Sequence, residues 1–239
     1  MTDVAIGRQF APLFSQRMLR STGVIGATGS LFAAAGDLAT AYTGAPLPAL
    51  NTVPWLSFAE FATFLTPKSQ FELILGHYLG VLFIPLIVLG LWHVYLALAP
   101  ATPGFALTFL AGGTTVAVVG ATFHGTVGLA VTAIRAGDAD TVTHVLAYVE
   151  PLAWVLTVVG STLFLALAGV IWHGRSAFPR WMVWVSPLLV QLWLVAAAQV
   201  LPQAPAALLL LSGFNLSVFI FFSVSTVCLW HHEPLRAPR

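Results

Sequence analysis

The sequence predicts an all-α integral membrane protein: one domain over residues 1–239, a bundle of six transmembrane helices with an interfacial helix in the first outer loop. Three observations carry this. Hydrophobic residues make up 59% of the chain and charged residues only 7%, against about 25% charged in a soluble domain. So few charges could not cover a water-facing surface, and the mean hydropathy of +0.93 agrees. Six apolar runs reach the ~20 residues that a bilayer core of ~30 Å requires. The basic residues fall mainly on one set of alternate separators between those runs.

The runs lie near 21–43, 71–99, 104–134, 141–172, 180–201 and 205–230. Arg8, Arg17 and Arg20 precede the first. Basic residues before an apolar stretch also fit a signal peptide, but Asp37 and the length of the run favour an uncleaved helix. The loop from Gly44 to Gln70 is apolar and reads "NTVPWLSFAEFATFLTPK". Thr52 can cap a helix there and Pro54 suits its first turn. Trp55, Phe58, Phe61 or Ala62, and Leu65 follow at helical spacing, the pattern of an amphipathic helix in the membrane interface. Such a cover would admit a lipophilic molecule laterally and restrain bulk water. In the second run Pro85 is expected to kink the helix.

The remaining separators are "APATPG", "RAGDAD", "HGRSAFPR" and "PQAP", which place Pro103, Pro179 and Pro202 at helix ends. Arg175 and Arg180 lie between the fourth and fifth runs, and Arg236 and Arg239 close the chain. With six spans, all of these share the side of Arg8, Arg17 and Arg20, and the other side receives only Lys68 and Arg135. The positive-inside rule then makes both termini cytoplasmic. One lysine against eight arginines fits a GC-rich bacterial genome, and hence a bacterial inner membrane. The net charge of +1 offers nothing to a nucleic acid. The single Cys228 can form no internal disulfide. The expected partners are the bilayer and a lipophilic small molecule, and a homo-oligomer is compatible with this reading.

Ionisable residues inside a span are costly and usually functional. At ~1.5 Å per residue, Asp37, His77, His124, Glu150, Gln199 and Asn215 all come to ~22–33 Å above the arginine-rich boundary. In the third run Gly113, Ala117, Gly120, His124 and Gly128 form one stripe, the pattern by which membrane helices approach closely. Gly26, Gly29, Ala33 and Asp37 repeat it in the first, and Gly76 and Gly80 flank His77 in the second. Glu150, Trp154, Thr157 and Ser161 share a face of the fourth. Each residue has a plainer reading. A histidine can be a strut between helices, Glu150 can reach headgroups, and Gln199 or Asn215 can be a packing contact. Asp37 resists that reading most, because an aspartate in a span costs about 2.5–3.5 kcal/mol on insertion scales. His93, His144, His173, His231 and His232 read as peripheral.

The candidate catalytic set is therefore Asp37, His124, His77 and Glu150, with Trp154, Asn215, Gln199 and Tyr78 as candidate substrate contacts. Two carboxylates in different environments with a histidine relay would suit acid/base chemistry on a small lipophilic substrate, by isomerisation, cyclisation or hydrolysis. A proton-coupled carrier or sensor could use the same relay. His77, His124, Asp37 and Glu150 are also the candidate ligands for Zn or Fe, or the two histidines for haem, although no HxxxH or HExxH spacing is present. A site without a cofactor and a non-catalytic scaffold complete the alternatives.

"AAAGDLAT" in the first run, "PLIVLGLWHVY" in the second and "GATFH" in the third resemble an uncharacterised family of small bacterial multi-pass membrane proteins. The likeness covers about the first half of the chain. It rests on a Gly-Asp-Leu signature and a Phe-His pair, and so implies emphasis on Asp37 and His124. It implies no activity.

Overall fold

The computed structural model describes residues 16–44 and 58–230. Every regular element among them is helical. In chain order these are α1 (Gln16–Ala41), α2 (Phe58–Phe64), α3 (Gln70–Leu98), α4 (Pro103–Ala136), α5 (Ala139–Trp172), a 3₁₀ helix (Arg180–Val185), α6 (Pro187–Ala198), α7 (Gln203–Leu211) and α8 (Gly213–Cys228).

Four helices, α1, α3, α4 and α5, are long and apolar enough to cross a membrane. Their bounds follow the first four apolar runs because hydropathy and end signals agree. Gly137, at φ 70°, ends α4 in the left-handed conformation that glycine adopts freely. Asp138 then caps α5, accepting from the backbone N–H groups of Asp140 and Thr141. Ser69 and Glu72 form a reciprocal capping box at the start of α3. The helices α3 and α5 run on through Pro85 and Pro151. Leu82, Leu107 and Leu165 face outward and are each more than half exposed.

The last two predicted spans differ from expectation. In place of one helix over 180–201, a 3₁₀ helix is followed by the 12-residue α6. Ser186 between them is extended and Pro187, without an N–H, can only restart a helix. In place of one helix over 205–230, α7 and α8 meet at an angle of 73°. The break falls at Ser212, whose hydroxyl donates back to the Leu208 carbonyl at 2.7 Å, beside Gly213. Counting the bent pair as one span gives up to five candidates rather than six.

The most extensive packing is between α1 and α3, then between α3 and α4, α1 and α8, and α4 and α5. Glycines let α1 and α3 touch backbone to backbone. A Cβ on Gly26 would lie 2.5 Å from the Gly90 Cα, and one on Gly36 3.1 Å from the Gly76 carbonyl oxygen. The two ends of the molecule differ in charge. Arg20 donates to the Trp230 carbonyl at 2.7 Å, and the Ala177 N–H to the Ala97 carbonyl at 2.8 Å. Those contacts gather Arg17, Arg20, Arg175 and Arg180 at one end. At the other, the buried Lys68 ammonium donates to the Tyr42 carbonyl at 2.8 Å and pairs with Glu72 at 2.6 Å. Arg135 donates to the carbonyls of Thr66 and Lys68. These bonds pin the segment after α2 to the end of α4.

The short α2 lies across that end. Ala62 and the neighbouring Leu65 are fully buried against Leu73, Val127, Val131 and Val149. It packs onto α4 and α5. Thr52, Pro54 and Trp55, assigned to the same helix from the sequence, lie outside the described residues, as do Arg8, His231, His232, Arg236 and Arg239.

Candidate functional site

Asp37 is near the end of α1, directly after the Gly36 contact with α3. Close backbone approach there leaves its side chain to cross toward α4 and α8. His124 Nε2 stands 3.2 Å from Asp37 Oδ1. Asn215, from α8, donates its amide N–H to Asp37 Oδ2 at 2.9 Å. Three helices separated widely in sequence thus bring one polar group each to one point. The pair is largely shielded, with side-chain exposures of 10% for His124 and 17% for Asp37, and Asn215 is buried.

The Asn215 N–H on Oδ2 offsets part of the desolvation of this carboxyl, and the His124 ring stands beside Oδ1. Gly80 of α3 makes room for that ring. A Cβ at position 80 would lie 2.7 Å from His124 Nδ1.

Asp37, His124 and Asn215 open onto a cavity of about 370 Å³. Its walls are otherwise chiefly apolar. They descend from Phe61 and Val127 beside the pair to Val94, Phe109, Leu167, Phe221 and Phe222. Gly113, Ala117 and Gly120 of the α4 stripe line it. Close helix contact was expected of that stripe. Gly113 does pack on Leu91, but a Cβ on Gly120 would meet nothing nearer than 3.6 Å, and one on Gly128 nothing within 4 Å. Small side chains here leave space along α4.

The other sequence candidates are placed elsewhere. His77 lies on the same face of α3 as Ile84 but two turns toward the Lys68 end, against Gly125 and edge-on to Tyr78. Tyr78, Glu150, Trp154 and Gln199 are exposed and do not line the cavity. Thr157 and Ser161, expected on one face with Glu150 and Trp154, line the cavity although those two do not. Of the four candidate metal ligands only Asp37 and His124 touch. Among the described residues no three His, Cys, Asp or Glu side chains converge as a metal set would require.

Two polar wall residues escaped the sequence reading. Gln191 of α6 lines the cavity and donates to Ser217 Oγ at 3.3 Å. An amide in an otherwise apolar helix was the available signal. Thr40, one turn beyond Asp37, packs its hydroxyl on Gly76 without a hydrogen-bond partner. No curated protein and no solved structure matches the chain. A family profile does, over residues 14–231, and the chain therefore belongs to DUF6796, a family of unknown function.

Proposed function

We propose that the protein is a membrane-embedded enzyme that isomerises a small lipophilic substrate by a proton shift at Asp37. The observation that carries this reading is the Asp37–His124 pair, held by Asn215, at one end of an apolar cavity. Asp37 keeps lone pairs beyond the one that Asn215 engages. It takes a proton from one carbon of the substrate and returns it to another, and the double bond moves with the electron pair. Between the two transfers Asp37 holds the proton as a carboxylic acid and the electron pair is delocalised on the substrate, while the neighbouring His124 ring keeps the Asp37 side chain in place. Such a step consumes no second reactant. Hydrolysis would need a water beside Asp37, and the apolar walls favour the proton shift.

The same reading includes a bacterial inner membrane, cytoplasmic termini and six crossings, with the short α6 and the bent α7–α8 pair counted as the fifth and sixth. The gathering of Arg17, Arg20, Arg175 and Arg180 at one end supports that orientation. The site then lies in the outer half of the bilayer under α2.

The test is incubation of the reconstituted protein with a bacterial lipid extract in D₂O, followed by mass spectrometry. The expected result is one lipid species that is converted and acquires deuterium with the wild type and not with Asp37→Asn. Absence of conversion, or equal conversion by the variant, overturns the proposal. Proton-driven uptake into vesicles that requires Asp37, without conversion, would replace the enzyme with a carrier.

A further inference from the structure

The cavity has a direction. Asp37, Thr40, His124 and Asn215 stand toward one end, Thr157, Ser161 and Gln191 line the side, and the rest of the wall is apolar. On α5 the lining runs from Ala153 to Leu167, which is ~21 Å at 1.5 Å per residue. On α3 it runs from Ile84 to Val94, ~15 Å by the same rise. A volume of about 370 Å³ spread along that length makes a narrow slot. Its far end is closed by Val94, Phe109, Leu167, Phe221 and Phe222, all at most 2% exposed. Gly120 and Ala117 keep it open between the polar end and that floor.

We infer that the ligand is a single-chain lipophile with an uncharged oxygen-bearing head group, seated head-first at Asp37–His124–Asn215 with its tail along α4, and that the aromatic floor sets the longest chain admitted. This rests on the proposed acid/base site and names its substrate class. A branched or two-chain lipid would not fit a slot of this shape. An anionic head would meet the Asp37 carboxylate at short range in a medium of low dielectric, where like charges repel strongly. A hydroxyl or carbonyl head can donate to Asp37 or accept from a neighbouring N–H without that cost. The glycine and alanine on α4 therefore have a ligand-facing role beyond helix packing.

The test uses linear primary alcohols from octanol to octadecanol, added to the purified protein in bilayer nanodiscs, with thermal unfolding as the readout. In the wild type the rise in Tm should grow with chain length and then stop at one length. Phe109→Ala, which deepens the floor, should move that limit to longer chains. Gly120→Leu, and independently Ala117→Leu, should remove the rise while leaving the helical circular dichroism unchanged. A Tm that climbs without limit, or responds equally in both plugged variants, overturns the inference and reports bilayer partitioning alone. The acid/base reading fails separately. Asp37→Asn should keep the chain-length limit while losing turnover. Loss of the limit with intact Asp37-dependent turnover would discard the ligand class and leave the reaction.

Discussion

His93 and His124 are both imidazoles inside the same helical array, and they do opposite things. His93, near the arginine-rich end of α3, is fully buried. Its Nδ1 lies 2.8 Å from the Leu19 carbonyl of α1 and its Nε2 3.0 Å from the Ser225 hydroxyl of α8. Nδ1–H donates to the carbonyl, and Nε2 faces the Ser225 hydroxyl, which also reaches the Phe222 carbonyl at 3.1 Å. Both nitrogens have partners, no carboxylate of the described residues bonds the ring, and His93 does not line the cavity beneath Asp37. His124 faces a carboxylate and an apolar slot. A histidine with every hydrogen bond met by its neighbours is a strut. One with a charged partner and adjoining space has capacity left for a ligand. Sequence distance from a helix end does not separate the two, and the surroundings do.

Exchanging losses between these regions breaks or sharpens the comparison. The largest effect is expected at the His124 end. Gly80→Val would push the ring off Asp37, and a displaced acid/base partner costs about 10²–10⁴-fold in rate. The protein should still insert and unfold cooperatively. Conversion of the lipid substrate measures it, and unchanged turnover would mean the Asp37–His124 contact is not used. Next comes His93→Ala, which leaves a cavity and removes two buried hydrogen bonds that tie α3 to α1 and α8. About 3 kcal/mol of stability should be lost, with turnover per folded molecule retained. Unfolding in graded denaturing detergent reads the first quantity. A selective loss of turnover at full stability would contradict the strut.

The smallest effect is a control remote from both histidines. The Thr141 hydroxyl, and then the Thr141 backbone N–H, hold the Asp138 carboxyl below its ordinary value of 3.8. A depressed carboxylate contributes stability above that value and loses it as pH falls below it. The Tm deficit of Asp138→Ala against wild type should therefore be present at neutral pH and shrink in acid, with turnover at neutral pH unchanged. A deficit independent of pH would mean that the carboxylate charge plays no part in the cap.

Depth was legible in the chain, and direction around each helix was not. Counting residues put Asp37, His77, His124, Glu150, Gln199 and Asn215 at similar heights, but only Asp37, His124 and Asn215 meet. Height follows from the fixed rise of a helix. Each further residue also turns the side chain by ~100°, and where that turn points depends on how neighbouring helices are rotated. Glu150 and Trp154 face outward for this reason. The α1 glycine stripe was read correctly as a contact surface. The α4 stripe looked alike in sequence and lines a cavity, because no helix moved in to cover Gly120.

The sequence alone determined the apolar helices, their first four boundaries, the distribution of arginines and the prominence of Asp37 and His124. Hydropathy, caps and charge act locally along the chain and survive any packing. Only the tertiary structure decided that α6 is short, that α7 and α8 break at Ser212, that Asn215 completes the Asp37 pair, and that a slot lies beneath it. Those features arise where side chains from distant segments compete for the same space, and no single stretch of sequence records the outcome of that competition.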